Sequence, residues 1–234
     1  MSDVVEANEP AAQYIAVEGV DYALVPGCTR TFSKHLLTTE RLHIQQTVIR
    51  GAGDAEQAAT RATDIAAYVL AGSARLKNAD HTHVGKGHLL LIPAGARWSE
   101  QLSVLSDELV LLEIARAGGR AASSHDERAA MRSVNPDDVR PYEPAGHAKT
   151  RNRCLFVDEH MEIIEGFIER GGGAERHSHR DHEQLLYVLA GVGVPLLIHY
   201  PKGAPHGTGG GIAEPLELLV IYSPPLGEAH NALG

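Results

Sequence analysis

The sequence predicts an all-β chain made of two tandem copies of one small barrel. Three observations carry that expectation. Short runs rich in Leu, Val, Ile and Ala alternate with clusters of Gly, Pro, Asn and Asp. Little of the chain shows helical periodicity. Four landmarks recur in the same order, which marks an internal duplication. Ala67-Tyr-Val-Leu-Ala-Gly72 returns as Leu186-Tyr-Val-Leu-Ala-Gly191, and Arg50-Gly-Ala-Gly53 returns as Arg170-Gly-Gly-Gly173. Ile92-Pro-Ala-Gly-Ala-Arg-Trp98 returns as Tyr200-Pro-Lys-Gly-Ala-Pro-His206, and Glu108-Leu-Val-Leu-Leu-Glu-Ile114 as Glu217-Leu-Leu-Val-Ile-Tyr222.

Taken in order, residues 1–20 are polar and acidic and read as a flexible N-terminal arm with no signal peptide. Residues 21–116 form the first barrel, with strands expected at 42–49, 66–70, 88–92 and 110–114. Residues 117–150 read as a linker, in which Ser124-His-Asp-Glu127 is a capping box for one short helix over 126–132. Residues 151–234 form the second barrel, with strands at 161–168, 185–189, 196–200 and 216–222. The copies differ in one place. Gly72 and Pro93 lie 21 positions apart but Gly191 and Pro201 only 10, so the second copy is 11 residues shorter there. That is the length of a strand pair and its turn. Either the second barrel is trimmed at one edge, which would expose unpaired backbone, or a loop has dropped out of the sequence.

Composition removes several function classes. A net charge of −9 with no basic stripe argues against a nucleic-acid partner. No apolar run approaches the roughly 18 residues of a membrane helix. Cys28 and Cys154 are far apart and in no metal-binding spacing, which fits a reducing, cytoplasmic setting.

The chemistry concentrates in the second copy. His177 and His179 are two positions apart, so on a strand both imidazoles face one side. Gln184, five positions on, and His206, on a Pro-x-Gly-x-x-His turn, complete a four-ligand set for a metal. Glu183 is the alternative to Gln184 if the strand register shifts by one. Three imidazoles and one oxygen suit one divalent first-row transition ion: Fe, Mn, Ni, Co, Cu or Zn. The matching first-copy positions, Ala58, Thr60, Ile65 and Trp98, hold no ligand, so that copy reads as a scaffold with Trp98 in the space of the metal. His81, His83 and His88 form a cluster in which Asp80-His-Thr-His-Val-Gly85 reads as an exposed turn between strands, and His182 lies in a loop. His199, Tyr200 and Tyr187 are candidates to face the cavity as acid–base groups.

The order of a Gly-rich turn, His-x-His, Gln, Gly and then Pro-x-Gly-x-x-His resembles the two motifs of the cupin superfamily. Across residues 22–223 the chain resembles a bicupin. The resemblance implies two double-stranded β-helix (jelly-roll) barrels, with the metal in the C-terminal one. Cupins usually place Glu where this chain has Gln184, although a three-His, one-Gln set also occurs among them. It further implies a metal-dependent enzyme acting on a small oxygen-rich substrate. Isomerisation, ring opening or decarboxylation is one reaction type, and dioxygenation the other. A non-catalytic metal- and small-molecule-binding sensor is the reading from another class. Outer cupin strands often pair between chains, so a homodimer is expected.

Overall fold

A computed structural model describes residues 10–56, 62–77, 82–118, 130–191, 195–208 and 211–227. The backbone divides into two compact units, Glu18–Val139 and Met1–Val17 with Arg140–Gly234. Along the chain, β1 (Gln13–Ala16) precedes β2 (Ala23–Leu24), β3 (Thr31–Thr38), β4 (Leu42–Arg50) and β5 (Gly53–Asp54). Next come β6 (Ile65–Ala71), β7 (Ser73–Leu76), β8 (His83–Gly85), β9 (Leu89–Ile92), α1 (Trp98–Gln101), β10 (Leu102–Val104) and β11 (Glu108–Arg116). They are followed by β12 (Arg132–Val134), β13 (His147–Val157), β14 (Glu162–Ala174), β15 (Glu183–Ala190), β16 (Leu196–Tyr200) and β17 (Leu216–Ser223).

The sheets of the two units share an order. In the N-terminal unit one sheet runs β12-β9-β6-β11-β4-β3-β2, and in the other unit the sheet runs β1-β16-β15-β17-β14-β13. Aligned on the landmarks, the two orders match strand for strand from the first edge to β3 and β13. Backbone details repeat as well. β11 shifts register against β6 between Val110 and Leu111, and β17 against β15 where Val188 gives way to Ala190. At the end of each inner strand sits a glycine with positive φ, Gly72 at 83° and Gly191 at 118°. A Cβ on Gly72 would meet the Glu108 carbonyl, and one on Gly191 the Pro215 carbonyl. Only glycine tolerates both the dihedral and the approach. Gly191→Ala is therefore expected to cost about 2 kcal/mol or more, read as a lower denaturant midpoint.

The unit boundaries differ from the sequence-based ones at both flanks. Residues 13–16, expected in a loose arm, form β1 and pair antiparallel with β16, Gln13 opposite His199. Val17 follows as a buried residue whose N–H donates to the Pro195 carbonyl (3.2 Å). Within the expected linker, β12 pairs with β9, Arg132 opposite Leu91. The two segments are the corresponding edge strands of the two sheets. They are too short and too polar to announce themselves, and tertiary pairing overrides their weak propensity. The expected linker helix lies mostly outside the described residues. Residues 126–129 lie outside the described ones, and Arg132 opens a strand. The α-helix among the described residues is α1, one turn after the Pro93 turn, with Trp98 buried at its start.

The interiors differ. In the N-terminal unit a second sheet, β5-β10-β7-β8, faces the first. Between them lies an apolar cluster that includes Ile65, Val69, Leu90, Trp98, Leu102 and Leu111. The hairpin β7–β8 occupies the stretch by which the second copy is shorter, and has no counterpart there among the described residues. The C-terminal unit has a smaller apolar cluster, around Ile164, Ile168, Val188, Leu218, Val220 and Tyr222. Its interior is partly a cavity.

Candidate metal centre

The site is assembled by backbone pairing at the mouth of the C-terminal sheet. Sequence parity placed His177 and His179 on a regular strand, but β14 ends at Ala174 and both histidines follow it in extended chain. One isolated bridge holds them: His177 N–H donates to the His206 carbonyl and His206 N–H to that of His177, each at 2.8 Å. Gly203 N–H donates to the His179 carbonyl (2.8 Å). The Pro201 turn closes with Ala204 N–H on the Pro201 carbonyl (2.9 Å), as Ala96 N–H does on Pro93 (3.1 Å) in the sister unit. Gly203, at φ 78°, allows that turn to fold tightly.

These bonds bring three imidazoles together. Ring centroids of His177 and His179 are 4.9 Å apart, of His177 and His206 4.4 Å, and of His179 and His206 5.0 Å. One nitrogen from each lies within 4.8 Å of the others, a separation at which three rings can share one ion. Tautomers are fixed from outside the cluster. His177 Nδ1–H donates to the Glu175 carbonyl (2.7 Å) and His206 Nδ1–H to that of Ala204 (2.9 Å), leaving each Nε2 with a free lone pair. Buried His179 Nε2 and His206 Nε2 have no hydrogen-bond partner.

Gln184 and Glu183 separate cleanly. Gln184 lines the same cavity as His177 and His206. Its Nε2 donates to Tyr222 Oη (3.1 Å), while its Oε1 is buried and without a partner. Glu183 points the other way and meets His199 Nε2 at 3.0 Å, both side chains nearly buried. Orphaned imidazole nitrogens, and an orphaned carbonyl oxygen on a side chain lining the same cavity as His206, cost free energy unless a donor or a cation meets them. The donor set thus fits a divalent cation. Glu183→Gln is expected to leave metal affinity within about twofold while lowering stability by about 1 kcal/mol, because an amide oxygen replaces a carboxylate in a buried hydrogen bond to His199. Isothermal titration and denaturant melts check the two halves separately.

Burial disfavours the charged form of His179 and His206. Burial pushes the His179 imidazole down to about 4, and the neighbouring His177, His206, His182 and His147 rings add to the shift. His206 is also lowered, chiefly by burial and partly offset by its bond to Ala204. In the metal-free protein the lowered His179 value means the folded state binds fewer protons than the unfolded chain. Its contribution to stability is complete above about 6.5, shrinks as pH falls, and is gone below about 4. Denaturant midpoints in chelator are expected to fall over that window, with a shallower slope in His179→Gln.

Other expectations fare differently. Tyr200 lines the cavity and stacks on His206, centroids 4.5 Å apart. Burial and the adjacent Tyr14 phenol raise its pKa to about 12. His199 is engaged with Glu183, and Tyr187 is buried away from the cavity lining. His182 Nδ1–H donates to the Pro224 carbonyl (2.9 Å) and its ring sits 6.4 Å from His179. His83 is exposed on β8, His88 is half-buried, and His81 lies outside the described residues. In the N-terminal unit Ile65 and Trp98 belong to the apolar cluster, whereas Ala58 and Thr60 are outside the described residues.

Sequence reasoning missed several cavity residues. His147 opens β13, with its ring 6.1 Å from that of His177 and its Nδ1–H on the Ala145 carbonyl (3.0 Å). Thr150, Asn152 and Tyr222 line the cavity too. The detectable signal was alternation in residues 147–157, hidden because the inward face is polar. Ile168, Leu186, Leu218 and Val220 supply apolar wall.

No family model matches the chain, and no curated protein does. Solved structures do. A candidate glyoxylate-induced protein from Pseudomonas aeruginosa superposes with a TM-score of 0.67 at 16% identity, over 95% of this chain and 91% of that one. A candidate dioxygenase from Nostoc punctiforme gives 0.68 at 13% identity, over 91% and 82%. An oxalate decarboxylase from Lactobacillus farciminis, solved with formate, gives 0.60 at 12% identity, over 91% and 86%. At such identities the likeness is one of fold, and the fold is that of the cupins. No helix among the described residues is long and apolar enough to cross a membrane.

Proposed function

We propose that the chain is a bicupin metalloenzyme. Its C-terminal barrel holds one divalent first-row ion through His177, His179, His206 and Gln184, and its N-terminal barrel serves as scaffold. The reading rests on one observation: two buried imidazole nitrogens and a buried amide oxygen, all unpartnered, beside a third imidazole whose Nδ1 is already committed. A bound ion would supply Lewis acidity to a substrate oxygen.

The protein's own groups define the substrate. Three neutral imidazoles and a neutral amide leave a dipositive ion uncompensated, so the site favours small anionic or chelating oxygen ligands. Tyr200 and Tyr222 offer hydroxyls beside the ligands, and the apolar wall limits water. Redox-neutral work (isomerisation, ring opening or decarboxylation) is the preferred reaction type, because no carboxylate ligand is present to hold a more oxidised metal. Dioxygenation is the alternative. The names of structural neighbours span both, an oxalate decarboxylase and a candidate dioxygenase.

Elemental analysis of the purified protein, followed by turnover and oxygen-uptake assays on catechols, diketones and sugar acids, tests the proposal. Stoichiometric metal with turnover supports it. Metal without turnover across the panels supports a sensor instead, and absence of metal after loading overturns both.

A further inference from the structure

Asn152 lies on β13 with its side chain in the cavity wall and is only 8% exposed. Its backbone is fixed from both sides: Asn152 N–H donates to the Tyr142 carbonyl (2.8 Å) and Tyr142 N–H to that of Asn152 (2.9 Å). The side-chain amide makes no hydrogen bond among the described residues. Gly166 is its cross-strand partner. A Cβ on Gly166 would lie 3.1 Å from Asn152 Oδ1, so the absence of a side chain there leaves the amide uncovered. Buried amides are nearly always paired, and one held open in a cavity is available to a ligand.

Register places this amide relative to the metal ligands. Gln184 is opposite Tyr222, Leu186 opposite Val220, and Val188 opposite Leu218, which is itself opposite Gly166. The rung of Leu186 and Val220 therefore separates the Gln184 rung from that of Asn152. Among the described lining residues there is no Asp, Glu, Lys or Arg. The cavity thus has a cation-binding end, a short apolar stretch, and an uncharged donor–acceptor pair.

We propose that Asn152 is the specificity residue of this cavity, selecting substrates with an uncharged carboxamide or hydroxyl group remote from the metal-binding oxygens. The inference rests on the metal reading above. A carboxamide answers Asn152 with one donor and one acceptor. A second carboxylate would meet Oδ1 with no cation nearby, and an alkyl end would leave the amide unpaired.

The test titrates manganese-loaded protein with succinamate and glutaramate, and with butyrate and valerate as monocarboxylates of equal chain length. At the length that spans the cavity, the amide acid is expected to bind at least about tenfold more tightly than its monocarboxylate. Asn152→Leu is expected to abolish that preference by weakening the amide acid and tightening the monocarboxylate, and Asn152→Ala provides the same comparison should leucine perturb folding. Equal binding of amide acid and monocarboxylate at both lengths, or an amide preference that survives both substitutions, overturns the proposal. So does an equal loss of both ligands. Manganese content measured in the same samples separates the two ideas. Full occupancy without amide preference defeats the Asn152 assignment alone, and failure to load manganese defeats the metal reading.

Discussion

Replacing His206 with alanine is expected to reduce affinity for a divalent ion by more than about 100-fold, beyond what loss of an outer hydrogen-bond partner usually costs. The substitution removes a lone pair already oriented by the Ala204 carbonyl, and the neighbouring imidazoles cannot move to replace it. His177 is tied through Nδ1 to Glu175, and its backbone is paired with residue 206 itself. The bridge survives in the variant because it uses only main-chain atoms. Alanine is therefore expected to leave the sheet intact, so a folding defect and a binding defect can be told apart. The sole tryptophan, Trp98, is buried in the N-terminal unit's apolar cluster, and its emission should not change. Metal titration by calorimetry, with emission and circular dichroism as controls, checks the result.

Converting Gln184 to glutamate is expected to move two affinities in opposite directions. A carboxylate at the orphaned Oε1 position adds a full negative charge beside the ion, so metal binding should tighten. Anionic ligands then meet a less positive centre. Two unit charges 4 Å apart interact by about 4 kcal/mol at an effective dielectric of 20, so a loss of at least about tenfold in anion affinity is expected even after heavy screening. Tyr222 Oη, which accepts from the Gln184 amide at 3.1 Å, can donate to a carboxylate instead and keep the side chain in place. Titration of the metal-loaded variant with acetate against wild type checks this. Unchanged acetate affinity would place Gln184 outside the ion's coordination.

Much of this was legible in the sequence because the relevant constraints are local. Gly72 and Gly191 mark strand ends where only glycine fits, and the Pro93 and Pro201 turns fold alike because their backbones demand it. Strands β4, β6, β11, β14, β15 and β17 bury apolar side chains, and their composition announces them. His177, His179 and His206 stood out through their spacing, with Gln184 or Glu183 as the fourth candidate, and Gln184, His177 and His206 line one cavity.

The remainder was hidden for physical reasons. β13 reads HAKTRNRCLFV, with its inward face carrying His147, Thr150 and Asn152. A strand that lines a polar cavity loses the apolar–polar alternation by which strands are recognised. β1 and β12 are edge strands of four and three residues, specified by partners far away in sequence. That a segment ahead of the first repeat should complete the sheet of the second could not be read from either segment alone. Tyr222 escaped notice because its role depends on facing Gln184 across two strands, a relation fixed by register.

The proposed centre is one cation shared by side chains from three places in the C-terminal half of the chain. Anomalous diffraction from crystals grown with zinc measures this directly. One ion is expected at about 2.1 Å from a nitrogen of each of His177, His179 and His206, and at a similar distance from Gln184 Oε1. A cavity without anomalous density at saturating zinc, or density bound by other residues while these imidazoles stay uncoordinated, would contradict it.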